Sequence, residues 1–134
     1  KLSQVRHGRI VRRVMVVGIG VDIVDVARFE RALERTPRLA DRLFGKAFDP
    51  AMTGASLAAR FAAKEATLKA LGGHIGGFRW TDIQVVGDKG QTPQLALTGS
   101  THARAAEKDI SSQHLSLSHD GGMAIAFVVM ESSS

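Results

Sequence analysis

The stretch Ser56 to Leu71, SLAARFAAKEATLKAL, constrains this chain more than any other. At about 100° per residue, Leu57, Phe61, Leu68 and Leu71 fall on one stripe of a helix, and Lys64 falls inside that stripe. Glu65 lies on its edge beside Phe61, one turn before Lys69. Six alanines cover the remaining arc, so neighbouring backbones can approach on nearly every side. A helix that is apolar or small all round is a buried helix. Charges carried into such a place cost several kcal/mol unless partners or a metal compensate them. Two readings stand side by side: a structural salt bridge from Glu65 to Lys69 at i, i+4 spacing, or charges retained for a ligand.

The chain has 134 residues, enough for one domain with a core of its own. It has no cysteine, which removes disulfides, thiolate metal sites and a cysteine nucleophile together and fits a cytoplasmic setting. No uninterrupted apolar run matches a bilayer-spanning helix, so no membrane partner is expected. The net charge of +5 misleads. Five of the 18 basic residues (Lys1, Arg6, Arg9, Arg12 and Arg13) precede the first acid, Asp22, leaving 13 against 13 acids. With that balance, one tryptophan and no tyrosine, a nucleic-acid surface is not indicated. Residues 1–13 are set aside as a basic leader, 14–131 form the expected domain, and 132–134 are expected to fray as a tail.

Val14 to Val24 reads as a strand because β-branched residues crowd it. Alternation puts Val17, Ile19, Val21 and Ile23 on one face, and Gly18, Gly20 and Asp22 on the other. The two glycines clear a lane for another backbone or a ligand, and an acid stands at its end. Asp25 can cap a helix running to about Thr36, and a second helix is expected from Pro37 to Phe44. Arg28, Arg31 and Arg35, continued by Arg38 and Arg42, form a basic series that is either a salt-bridged surface or a docking face for an acidic protein.

Gly45 to Ala55 reads as a loop, and Gly72-Gly73-His74-Ile75-Gly76-Gly77 as a stop whose backbone N–H groups could approach an anion. Strands are expected at Ile83 to Val86, Gln94 to Leu97, His114 to Ser118 and Met123 to Met130, with a helix from Ser100 to Lys108. Asp120-Gly121-Gly122 makes the closing hairpin turn. The architecture is therefore α+β: antiparallel strands packed with a central helix. His114 and His119 differ by an odd number of positions, face opposite sides of one strand, and make a poor zinc pair.

Three motifs in register carry a resemblance: Gly18-Ile19-Gly20-Val21-Asp22-Ile23-Val24, Arg60-Phe61-Ala62-Ala63-Lys64-Glu65-Ala66 with Lys69-Ala70, and Ser116-Leu117-Ser118-His119. With them the chain resembles the holo-acyl-carrier-protein synthases, the small 4′-phosphopantetheinyl transferases, over roughly Met15 to Glu131. The Phe48 to Ser56 connection is shorter than the acidic segment relatives often carry there. The resemblance implies transfer of 4′-phosphopantetheine from coenzyme A to a serine of apo-acyl carrier protein, releasing adenosine 3′,5′-bisphosphate. It implies Mg²⁺ on Asp22 and Glu65, with Lys69 facing phosphate. It implies coenzyme A contacts from Arg28, Arg60, Lys64, Ser118 and His119, and the glycine loop offers Gly72 and Gly73. Carrier docking falls to Arg28, Arg31, Arg35 and Arg38, and a homotrimer with coenzyme A between subunits is implied too. His119, Asp120 acting through water, Glu65 and a metal-bound water all remain open as the group that takes the serine proton. The rivals are a non-catalytic module binding an acidic partner and a hydrolase cleaving coenzyme A with water.

Overall fold

The computed structural model describes residues 3–6, 9–87 and 90–133. Strands β1 (Ser3–Arg6) and β2 (Arg9–Arg12) pair as a small antiparallel hairpin within the stretch set aside as a leader. Then come β3 (Val14–Asp25), α1 (Val26–Arg35), α2 (Leu39–Phe44) and α3 (Gly54–Ala70). A second half follows with β4 (Ile83–Val86), β5 (Gln94–Leu97), α4 (Gly99–Glu107), β6 (Ile110–Asp120) and β7 (Met123–Ser133). The main sheet is antiparallel in the order β3–β7–β6, and β4 pairs with β5 beside it. The expected α+β architecture with a central helix holds.

Local chemistry sets the boundaries. The Asp25 carboxylate accepts the Arg28 N–H at 2.9 Å and starts α1, and the Thr53 hydroxyl accepts the Ser56 N–H at 3.1 Å and starts α3. That cap sets the first turn of α3 two residues earlier than Ser56. The second helix begins two residues after Pro37, which lies in a turn. The closing hairpin is longer than expected at both ends. Ser132 and Ser133, taken for a fraying tail, pair with Met15 and Val14, which secures the last strand to the first.

Helix α3 lies on one face of the main sheet, and the glycine lane explains how. A Cβ on Gly18 would collide with the Ala70 carbonyl, and one on Gly20 with the Ala66 carbonyl. The lane is filled by helix backbone, the first of the two occupants the alternation allowed. Ala124, Ala126 and Val128 of β7 complete this inner face and are fully buried. On the outer face Ile19 remains 58% exposed and Phe127 45%. Register aligns Ile19 with Val129, Val21 with Phe127 and Ile23 with Ile125, giving a contiguous apolar strip over two strands. On β6 that strip continues as His114, Ser116 and Ser118.

Candidate active site

Asp22 follows the two glycines on the inner face of β3, where α3 has come close enough for its side chains to meet the strand. The Lys69 ammonium donates to the Asp22 carboxylate at 3.2 Å and to the Val21 carbonyl at 2.9 Å. Glu65, one turn earlier on α3, lines the same cavity of about 310 Å³ as Asp22, with Arg28 and Phe61 also in its wall. Burial pushes the Glu65 carboxyl above its usual range, the neighbouring Asp22 charge pushes it further, and Lys69 opposes both. Of the two readings of Glu65, the salt bridge to Lys69 does not form; Lys69 pairs with Asp22 instead. Among the described residues Glu65 has no hydrogen-bond or ion-pair partner. Two adjacent carboxylates with only one ammonium between them present oxygen donors to a further cation.

That donor set fits Mg²⁺, which takes oxygen ligands and commonly only one or two carboxylates, completing its shell with phosphate and water. Among the described residues no cluster of three or more histidine, aspartate or glutamate side chains forms a metal cage. His114 faces outward and pairs with Glu131 at 2.6 Å.

The other expected residues are distributed over the fold. Lys64 departs most from expectation as a coenzyme A contact. Its side chain has no exposed surface, and its ammonium donates to the Trp80 carbonyl at 3.0 Å, the Ile83 carbonyl and the Gln84 Oε1 at 3.2 Å. It also stands 5.5 Å from the centre of the Phe44 ring, and burial lowers its pKa to about 8. Every donor of this ammonium is held by the chain itself, so in this structure it presents none to a phosphate.

Gly72 and Gly73 are corrected likewise. Their N–H groups go to the Lys69 carbonyl at 3.1 Å and the Leu68 carbonyl at 2.8 Å, closing the end of α3 rather than facing an anion. Beside them stand two cations that sequence reasoning missed. Arg104 donates to the Leu71 and His74 carbonyls at 3.1 and 3.3 Å, and the Lys108 Nζ approaches within 3.5 Å of where a Gly72 Cβ would be. The signal was their spacing of one turn on α4.

Arg60 points away from Glu65, about 140° around the helix. It lines a separate groove of about 700 Å³ with Leu117, and its guanidinium donates to the Ser56 hydroxyl at 2.9 Å. His119 pairs with Ala124, which pairs with Val24, so it sits on the α3 side of the sheet two strands from β3, about 10 Å across. It is exposed at the end of β6, two residues beyond Leu117 and on the same face. Asp120 begins the turn to β7, and Ser118 faces the outer, apolar side with Ile125. The sheet therefore separates Ser118 from Asp22 and Glu65 within one chain. One flank of α3 carries Asp22, Glu65, Lys69 and Arg28; the other carries Arg60 and the end of β6.

Arg28, Arg31, Arg35, Arg38 and Arg42 are all exposed. None forms an ion pair with a described residue, so the salt-bridged reading of this surface is not what folds. Phe29 anchors α1 by its opposite side, stacking on Phe61 at 5.2 Å between ring centres.

The model of the 4′-phosphopantetheinyl transferase superfamily matches residues 18–128, and the chain belongs to that family. Among its relatives, the holo-[acyl-carrier-protein] synthase of Leifsonia xyli is 52% identical over 117 residues, covering 87% of this chain and 98% of that one. The synthase of Beutenbergia cavernae is 54% identical over 117 residues, covering 87% and 99%. A Helicobacter pylori holo-[acyl-carrier-protein] synthase in complex with coenzyme A superimposes with a TM-score of 0.69 at 32% identity, covering 84% of this chain and 98% of that one.

Proposed function

We propose that this chain is a Mg²⁺-dependent holo-acyl-carrier-protein synthase of the cytoplasm whose complete site forms between subunits of a homotrimer. Its reaction is transfer of 4′-phosphopantetheine from coenzyme A to a serine hydroxyl of apo-acyl carrier protein. The serine oxygen bonds to the phosphorus that carries the pantetheine arm. The pyrophosphate P–O bond breaks, and adenosine 3′,5′-bisphosphate leaves. The observation that carries the reading is the meeting of Asp22 and Glu65 in one cavity with Lys69 against them.

Such a reaction brings an anionic pyrophosphate to a nucleophile, so positioning and charge neutralisation dominate the barrier. Asp22 and Glu65 would hold Mg²⁺, which would supply neutralisation of charge on the phosphate oxygens. Lys69, half-exposed beside Asp22, faces the same charge, and Arg28 at the cavity wall adds a second cation. Arg31, Arg35 and Arg38 hold the acidic carrier next to this cavity. Arg60 and His119 lie on the opposite flank of α3, which suits coenzyme A shared between two subunits: one supplies the acids, its neighbour the second flank. The exposed strip of Ile19, Val21, Ile23, Ile125 and Phe127 supports assembly, because an apolar face of this kind is stabilised by burial against another chain.

The test is direct. Purified chain, coenzyme A, Mg²⁺ and an apo-carrier protein should yield carrier whose intact mass has gained one phosphopantetheine. Several carriers left without that increment would overturn the reading.

A further inference from the structure

Lys64 is a fully buried cation that the chemistry above does not use. It belongs to a helix whose buried residues are mostly alanine. Of the residues that α3 buries, Ala58, Ala59, Ala62, Ala63, Ala66 and Ala70 carry only a methyl group. Against Gly18 and Gly20 the contact is backbone on backbone, which brings the elements close but offers no interlocking side chains. On the flank of Asp22, Lys69 and the Phe61 ring hold the helix, and Glu65 must be aimed at Asp22.

On the far side Lys64 supplies directional bonds. Its three N–H groups meet three acceptors, the Trp80 carbonyl in the turn before β4 and the Ile83 carbonyl and Gln84 Oε1 at the start of β4. Those acceptors are themselves fixed. The Gln84 amide donates to the Phe44 carbonyl at 3.2 Å. The Asp82 carboxylate takes the Ser100 hydroxyl at 2.6 Å, and its carbonyl takes the Thr101 hydroxyl at 2.8 Å, which fastens this segment to α4. Lys64 and Glu65 are adjacent in sequence, about 100° apart around the axis. Fixing one fixes the aim of the other.

We infer that Lys64 is a positioning residue: its buried ammonium, held by the start of β4, sets the rotation of α3 and thereby aims Glu65 at Asp22. The inference rests on Asp22 and Glu65 acting together as the cation site. Replacing a buried ionic group by an apolar one of similar volume is often neutral for stability, so a loss of aim can be read apart from a loss of fold.

Lys64→Met keeps the stem and removes the ammonium. Calorimetric titration with Mn²⁺ should show at least about tenfold weaker affinity, and kcat should fall about a hundredfold, the scale of a one-ångström misplacement at a reacting centre. KM for the carrier, set by the arginine face, should stay within twofold or so of the parent value. A structural role alone would lower the melting temperature and leave both the Mn²⁺ affinity and kcat of the folded fraction unchanged; that result overturns the inference. Because the chain has no cysteine, Lys64→Cys can be alkylated with bromoethylamine in denaturant and refolded, restoring an ammonium at this one place. Recovery of Mn²⁺ affinity is expected, and a folded product without recovery contradicts the inference. Gln84→Leu removes one acceptor and gives a milder version of the same losses should Lys64→Met not fold. Metal-free crystal structures of the parent and Gln84→Leu chains settle the point independently of metal affinity: Glu65 should be displaced from the Asp22 cavity. An unmoved Glu65 overturns the positioning role, whereas a parent chain that binds no Mn²⁺ overturns the metal reading instead.

Discussion

Along β3 and the half of β7 nearest the turn, the two faces of the main sheet reverse the usual assignment of large residues inward and small ones outward. The inner face there sets Gly18, Gly20, Ala124 and Ala126 against α3, while the outer face exposes Ile19, Val21, Ile23 and Phe127. Burial of large apolar side chains is the main stabilising force in a fold, so a sheet that leaves them in water is organised around something else. On the inside, small residues let α3 approach until Glu65 and Lys69 reach the level of Asp22. On the outside, large apolar side chains stay in water in the single chain, and this is the face the proposed assembly would cover.

Filling the inner face is the most severe way to break this contrast. Gly20→Val would drive a side chain into the Ala66 carbonyl and cost at least ~3 kcal/mol, the upper end of ordinary overpacking. Loss of cooperative thermal unfolding by circular dichroism is the expected result. A normally folded variant would mean that α3 does not need the lane.

Removing the charges that the inner face assembles should be nearly as damaging to activity while sparing the fold. Asp22→Asn or Glu65→Gln should each reduce phosphopantetheine transfer at least about a hundredfold, the scale of lost metal-supported charge stabilisation. Full transfer by both variants would remove the metal assignment.

On the outer face, Val21→Ser combined with Phe127→Ser should leave the α3–sheet core intact and dissociate the assembly. Light scattering would show a fall from trimer to monomer mass. A parent chain that is already monomeric would break the comparison outright. Arg35→Glu is a smaller change, remote from both faces: carrier KM should rise about tenfold in dilute buffer and converge on the parent value in high salt. Equal carrier affinity at low salt would discard the docking face.

The smallest effect sharpens the electrostatics of the inner face. Folding raises the Glu65 pKa through burial and the Asp22 charge. The native state therefore holds this proton more tightly than the unfolded chain. Stability from that source is complete below the unfolded value and is lost as pH rises through the folded one. Metal-free protein should lose a little stability across that window, and Glu65→Gln should not. Mg²⁺ should restore the difference at neutral pH for the parent alone, as thermal melts would show.

Much of this was legible in the residues, for physical reasons that can be named. Strand alternation is a period-2 property of the local backbone, so Gly18, Gly20 and Asp22 share a face whatever packs there. Helical spacing brings Glu65 within a turn of Lys69, and Asp25 caps a helix through a bond three residues long. His114 and His119 part by parity alone.

What the linear order does not contain is the identity of a partner from elsewhere in the chain. Lys69 chooses Asp22, 47 positions away, over Glu65 on its own helix. Lys64 turns inward because β4 and the turn before it offer three acceptors there, and Gly72 and Gly73 give their N–H groups to the helix they terminate. Periodicity thus determined which side chains share a face. Only tertiary packing decided which faces are buried and which charges meet, because burial and Coulomb energy depend on distance in space and not on distance along the chain.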